Sequence, residues 1–137
     1  MSQKVYIFGN GNLSFSDYIH HYKNAIDKLL ESENVHFIVC DFKGVDTLTM
    51  EVLKCATPNV TVLHMGERPR YAPDKYKTKA SQWNFIGGFE SDLERDSAAI
   101  NMCTHFLAHD INSNEKRKSG TLTNIETCLK ENKISCI

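Results

Sequence analysis

Four short stretches of this chain gather residue types that can hold an anion. In Gly9-Asn10-Gly11-Asn12, followed by Ser14, two glycines let backbone N–H groups come close to a ligand and the serine adds a hydroxyl. CDFKGVD carries Asp41 and Gly44, and a carboxylate there can accept bonds from sugar hydroxyls. HMGERPRY carries Gly66, Arg68 and Arg70, and a guanidinium offers a planar, two-pronged donor suited to phosphate or carboxylate. KSGTLTN places Ser119, Gly120 and Thr121 at a small-residue turn with two hydroxyls. The chemistry these types share is recognition of a phosphorylated ligand. Each stretch also has a plainer reading: glycines relieve a tight turn, serine and threonine cap helices, and charged runs are solvated faces.

The elements that must position these residues follow from periodicity. KVYIF (residues 4–8), HFIVC (36–40), NVTVLH (59–64) and HFLAHD (105–110) are short runs rich in β-branched or aromatic residues, as expected of buried strands. KISCI at the end of the chain makes a fifth. Between them the spacing turns helical. Phe15, Tyr18, Ile19, Tyr22, Ile26, Leu29 and Leu30 share one helical face, introduced by a Ser14–Asp17 capping pair. Asp46 is read as the cap of a second helix with Leu48, Val52, Leu53 and Ala56 inward. Ser91 and Glu94 start a third carrying Leu93, Ala98, Ala99 and Met102, and Leu122, Ile125 and Leu129 line a fourth. Alternating strands and helices predict one α/β domain over residues 1–137: a Rossmann-like parallel sheet of five strands, ordered 3-2-1-4-5, with helices on both faces. All four candidate stretches then fall at the carboxyl ends of strands, where such sheets collect their ligands.

The stretch from Gly66 to Glu90 reads as irregular. Between Gly66 and Lys79, Arg68, Arg70, Lys75, Lys77 and Lys79 outnumber Glu67 and Asp74, leaving a local excess of three positive charges interleaved with Tyr71 and Tyr76, and Trp83 and Phe85 follow closely. So long a connection in so short a chain suggests a lid or a ligand wall, hinged at Gly87-Gly88. Arg95 and Asp96 fall in the first turn of the third helix, where an ion pair or a cap is the ordinary reading.

Composition narrows the classes. A net charge of -1 over 137 residues argues against a general nucleic-acid partner. Five cysteines without a CxxC pair suggest reduced thiols and a cytoplasmic setting. No apolar run approaches a membrane span, and the six histidines lack metal-ligand spacing, so neither a membrane nor a metal is expected.

GERPRY, ERDSAAI and KSGTLTNI together resemble short bacterial proteins of the SLOG superfamily, closest to the molybdenum cofactor carrier-like branch and more distantly to LOG-type phosphoribohydrolases. The resemblance covers most of the chain and implies a Rossmann-like sheet with a nucleotide or pterin-nucleotide over the strand ends. It carries binding roles onto Gly9 to Asn12, Asp41 to Gly44, Arg68, Arg70, Arg95, Asp96, Gly120 and Thr121. Asn124 stands where LOG enzymes have a catalytic glutamate, and an amide cannot serve as a carboxylate base. The expectation is therefore binding, sequestration or carriage of a phosphorylated nucleotide-like cofactor rather than turnover. An N-glycosidic hydrolase or nucleoside deoxyribosyltransferase is the enzymatic alternative, with Glu67, Glu94 or Asp96 as carboxylate. A ligand-free interaction module using the 66–90 loop is the third reading. Dimerisation through helix faces is common in such folds.

Overall fold

The computed structural model describes residues 2–137. Six parallel strands form one sheet: β1 (Gln3–Gly9), β2 (Val35–Cys40), β3 (Val60–Met65), β4 (Asn84–Phe89), β5 (His105–His109) and β6 (Ile134–Ser135). Their spatial order is β4-β3-β2-β1-β5-β6. The five expected strands are present in the expected order, and β4 is added outside β3. Residues 84–89 read as loop because Asn84-Phe-Ile-Gly-Gly-Phe89 lies at an edge, largely exposed, without the apolar run of a buried strand. Gly87 is no hinge. It lies inside β4 against the His64 ring, where a Cβ would collide with that imidazole.

Each face of the sheet buries its own core, because successive side chains of a strand point to opposite sides. Val5, Ile7, Phe37 and Val39 pack beneath α1 (Phe15–Tyr18), α2 (Asn24–Leu30) and α3 (Val45–Leu53). Tyr6, Phe8, Ile38 and Cys40 pack beneath α4 (Asp92–Met102) and α5 (Gly120–Lys130).

A π-helical turn, Ile19–Lys23, joins α1 to α2. It holds an extra residue per turn, so the single apolar stripe expected from Phe15 to Leu30 splits. Tyr18, Tyr22 and Ile26 are fully buried, whereas Phe15 is 64% and Ile19 39% exposed. The Tyr22 hydroxyl donates to the Phe8 carbonyl (2.8 Å) and accepts the His109 N–H (2.9 Å), which ties together the carboxyl ends of β1 and β5. Those two ends frame the site.

Candidate functional site

A cavity of about 400 Å³ opens at the carboxyl ends of β1, β2 and β5. One wall comes from the β1 turn and the segment between β5 and α5. Asp110, just past β5, accepts bonds there from Asn10 Nδ2 (2.9 Å), Ser119 Oγ (2.7 Å), Asn112 N (3.1 Å) and Ser113 N (3.2 Å). Burial works to raise the Asp110 pKa, but these hydrogen bonds outweigh it and hold the group well below the usual carboxylate range. Asn10 also reaches Thr121 Oγ1 (3.3 Å) and accepts the Ile111 N–H (2.8 Å). Asn12 and Asn112 exchange amide bonds of 2.8 and 3.2 Å. Ser119 caps α5 by accepting the Leu122 N–H, so its hydroxyl is committed on both sides.

The opposite wall is ionic. Arg95, at the start of α4 and nearly buried, bridges Asp41 (2.8 Å), Asp92 (2.9 Å) and Asp96 (2.9 Å). Arg70 meets the same Asp41 (3.3 Å) and Asp92 (2.9 Å) from the solvent side. Burial favours a neutral Asp41, yet the Arg70 N–H, the Arg70 guanidinium and Arg95 outweigh it and lower its pKa. Asn124 Nδ2 donates to the far oxygen of Asp96 (3.0 Å).

Asp46 joins this wall from α3, and it is not the cap of that helix. The cap position belongs to Gly44, whose φ of 77° is one that side chains rarely adopt and whose missing Cβ leaves room for the Asn10–Gly11 backbone. Asp46 lies inside the first turn and folds back to accept the Phe42 N–H (3.0 Å). Burial pushes its pKa up to about 7 against the pull of that bond and of Arg95, with Asp96 and Asp41 adding to the rise.

Of the residues the sequence singled out, Gly9, Asn10, Gly11 and Asn12 line the cavity on one side. Arg95, Asp96, Gly120 and Thr121 line it on the others. Six do not. Ser14 is exposed, and its hydroxyl is taken by the Asp17 N–H. Gly44 supports the turn from behind, while Gly66 and Arg68 are exposed beyond β3. Asp41 and Arg70 line a neighbouring cavity of about 320 Å³, which shares Phe42 and Lys43 with the first. Among the carboxylates weighed for catalysis, Glu67 and Glu94 are exposed away from the cavity, and Asp96 is engaged by Arg95 and Asn124. Sequence reasoning missed Tyr6, Phe8 and the cation Arg117, while Phe42 and Lys43 fall inside the expected Asp41–Gly44 turn. Phe42 and Lys43 follow directly on β2 and were legible as part of its turn. Arg117 lies in a charged segment whose path no periodicity reveals.

Among the described residues, no three His, Cys, Asp or Glu side chains converge on a metal position. No helix is long and apolar enough to cross a membrane.

No family model and no curated protein matches the chain. A solved structure does, with 18% identity and a TM-score of 0.68 over 97% of this chain. The fold matches that of DNA processing protein A from Helicobacter pylori. That structure is described for a unique mode of single-stranded DNA binding, and the match spans 63% of its length. The match supports the Rossmann-like fold implied by the SLOG resemblance and gives nothing to the molybdenum cofactor carrier branch. It also corrects two expectations, a phosphorylated nucleotide-like cofactor as ligand and the exclusion of general nucleic-acid binding. The exclusion rested on net charge, which averages over a surface whose carboxylates and cations are unevenly spread. Asp41, Asp92 and Asp96 are held in ion pairs, while Lys43, Arg68 and Arg117 make no ion pair among the described residues.

Proposed function

We propose that this chain binds single-stranded nucleic acid, seating one unpaired base in the larger cavity and the flanking phosphates on its rim. The observation that carries the reading is the layering of that cavity. Its lining combines the buried Phe8 and half-buried Phe42 rings with the exposed cations Lys43 and Arg117. Strands without secondary structure are held in this way, by rings on which bases stack and by cations that follow the backbone. The acidic wall suits a base or a sugar rather than a phosphate, because Asp46 lines it without a cation of its own and the Arg95 guanidinium there is already shared by Asp92 and Asp96. The solved structure of similar fold, described for single-stranded DNA binding, supports the same class of ligand.

A labelled 20-mer of mixed sequence, titrated by fluorescence anisotropy at low salt, tests this. The strand is expected to bind, while the same sequence annealed into a duplex competes poorly. Arg117→Ala is expected to weaken binding and reduce the salt slope by about 0.7, the contribution of one single-strand phosphate contact. Absence of binding at low salt, or equal competition by duplex, rejects the proposal.

A further inference from the structure

Asp46 is buried to 4% exposure, yet only half of its carboxyl is satisfied. Oδ2 takes the Phe42 N–H at 3.0 Å, and Oδ1 takes no hydrogen bond among the described residues. No fully enclosed side-chain oxygen or nitrogen among those residues lacks a partner. The free oxygen must therefore open on the cavity that Asp46 lines. Its position is fixed from behind: Gly44 caps α3, and Thr47 Oγ1 donates to the Gly44 carbonyl at 3.0 Å.

The neighbouring groups add an acceptor and a donor beside that free oxygen. Asn124 commits its amide nitrogen to Asp96, which leaves its carbonyl oxygen as an acceptor. Both Asp96 oxygens already receive bonds, from Arg95 and from Asn124. The Tyr6 hydroxyl accepts the Cys40 thiol at 3.8 Å, so its own proton remains to be donated. A buried acceptor left unmet is costly, and a site built around one rejects ligands that lack the matching donor.

We infer that Asp46 determines which base enters the cavity, favouring bases with an exocyclic amino group over thymine or uracil. The inference rests on the single-strand reading above. Adenine, cytosine and guanine each present an amino group that can donate to Oδ1. Thymine and uracil present one ring N–H between two carbonyl oxygens, and a carboxylate facing that edge meets at least one of those oxygens.

The test uses the full chain at pH 8 and 12-residue thymidine strands carrying one central guest base, read by anisotropy. Strands with a central deoxyadenosine, deoxycytidine or deoxyguanosine are expected to bind about tenfold more tightly than all-thymidine, the lower range for one good base contact. Replacing the guest deoxyguanosine by deoxyinosine removes only the exocyclic amino group and is expected to abolish most of the gain. Asp46→Asn, whose amide can accept or donate, is expected to bring all guests within about twofold of one another. Where that variant fails to fold, the deoxyguanosine and deoxyinosine strands decide the matter on the wild-type chain. Binding of every wild-type strand within twofold overturns the selection by Asp46 and leaves the single-strand reading intact. Binding of none removes both.

Discussion

The two walls of the cavity reach order by opposite routes. On the β5–α5 side, one carboxylate, Asp110, gathers neutral donors from Asn10, Ser119 and two backbone amides. On the β2–α4 side, Asp41, Asp92 and Asp96 share the guanidiniums of Arg70 and Arg95, and Asp46 stands beside them without a cation of its own. The first wall joins two short segments, Asp110 to Ser119 and the Asn10–Asn12 turn about 100 positions before it. The second is assembled from residues up to 54 positions apart. A wall of neutral donors around one acceptor fixes shape. A wall with more carboxyls than cations leaves an unsatisfied group facing the ligand, and selectivity can arise there.

The largest effect should come from the ionic wall. Arg95→Met strands the buried Asp41 with only the more exposed Arg70, and breaking a buried pair in this way costs roughly 3–5 kcal/mol. Urea unfolding reads this directly, and a loss below about 1 kcal/mol would mean that solvent already screens the network. Asp110→Ala ranks second. It leaves several donors of the other wall unmet, at about 1–3 kcal/mol, with protection from hydrogen exchange falling at Asn112 and Ser113. A drop larger than that for Arg95→Met would reverse the comparison.

The third prediction concerns pH. Asp46 has a folded pKa of about 7 against an ordinary 3.8, so the native state holds its proton more tightly than the unfolded chain. Its stabilising contribution is complete below the ordinary value and is lost as pH rises towards 7, at up to about 1.4 kcal/mol per pH unit. Above that the dependence is flat. Asp41 and Asp110 behave oppositely: their lowered pKa values give stability that is present above the ordinary value and disappears only in acid. Asp46→Asn should therefore flatten the unfolding free energy between about pH 4 and pH 7 without changing its acid limb. An unchanged slope would mean that Asp46 is ionised throughout. The smallest effect belongs to Arg70→Ala. That side chain is 43% exposed, and its loss should change stability by no more than about 1 kcal/mol.

Sequence patterns located the sheet well because buried strands carry their own signature. β1, β2, β3 and β5 are β-branched or aromatic runs, and their order followed from alternation with helices. β4 was hidden because an edge strand with two glycines buries too little to need such a run. The π-turn was hidden as well, since Phe15 and Ile19 match helical spacing and only the packing of Tyr18, Tyr22 and Ile26 turns them outward. At the site, the βα turns were legible from glycines and small polar residues. The partners of their charges were not. Asp41 and Arg70 lie 29 residues apart, and no local pattern announces that they pair with each other. Asp46 looked like a cap because it precedes a helical stripe, and the backbone angle that gives this position to Gly44 cannot be seen in the letters.

The extra residue in the turn at 19–23 also bears on how this chain tolerates changes of length. A one-residue deletion there can be absorbed by closing the turn into ordinary α-helix, leaving α2 and the strands in register. The cost falls upstream, where α1 rotates by about 100° about the helix axis while β1 stays paired in the sheet. Tyr18 then loses its 2.9 Å contact with Thr49, and the segment from Asn10 to Ser14 is released from the sheet edge. The fold would survive such a shortening while the entrance to the cavity would not, which makes the π-turn a length marker for the cavity rather than for the domain.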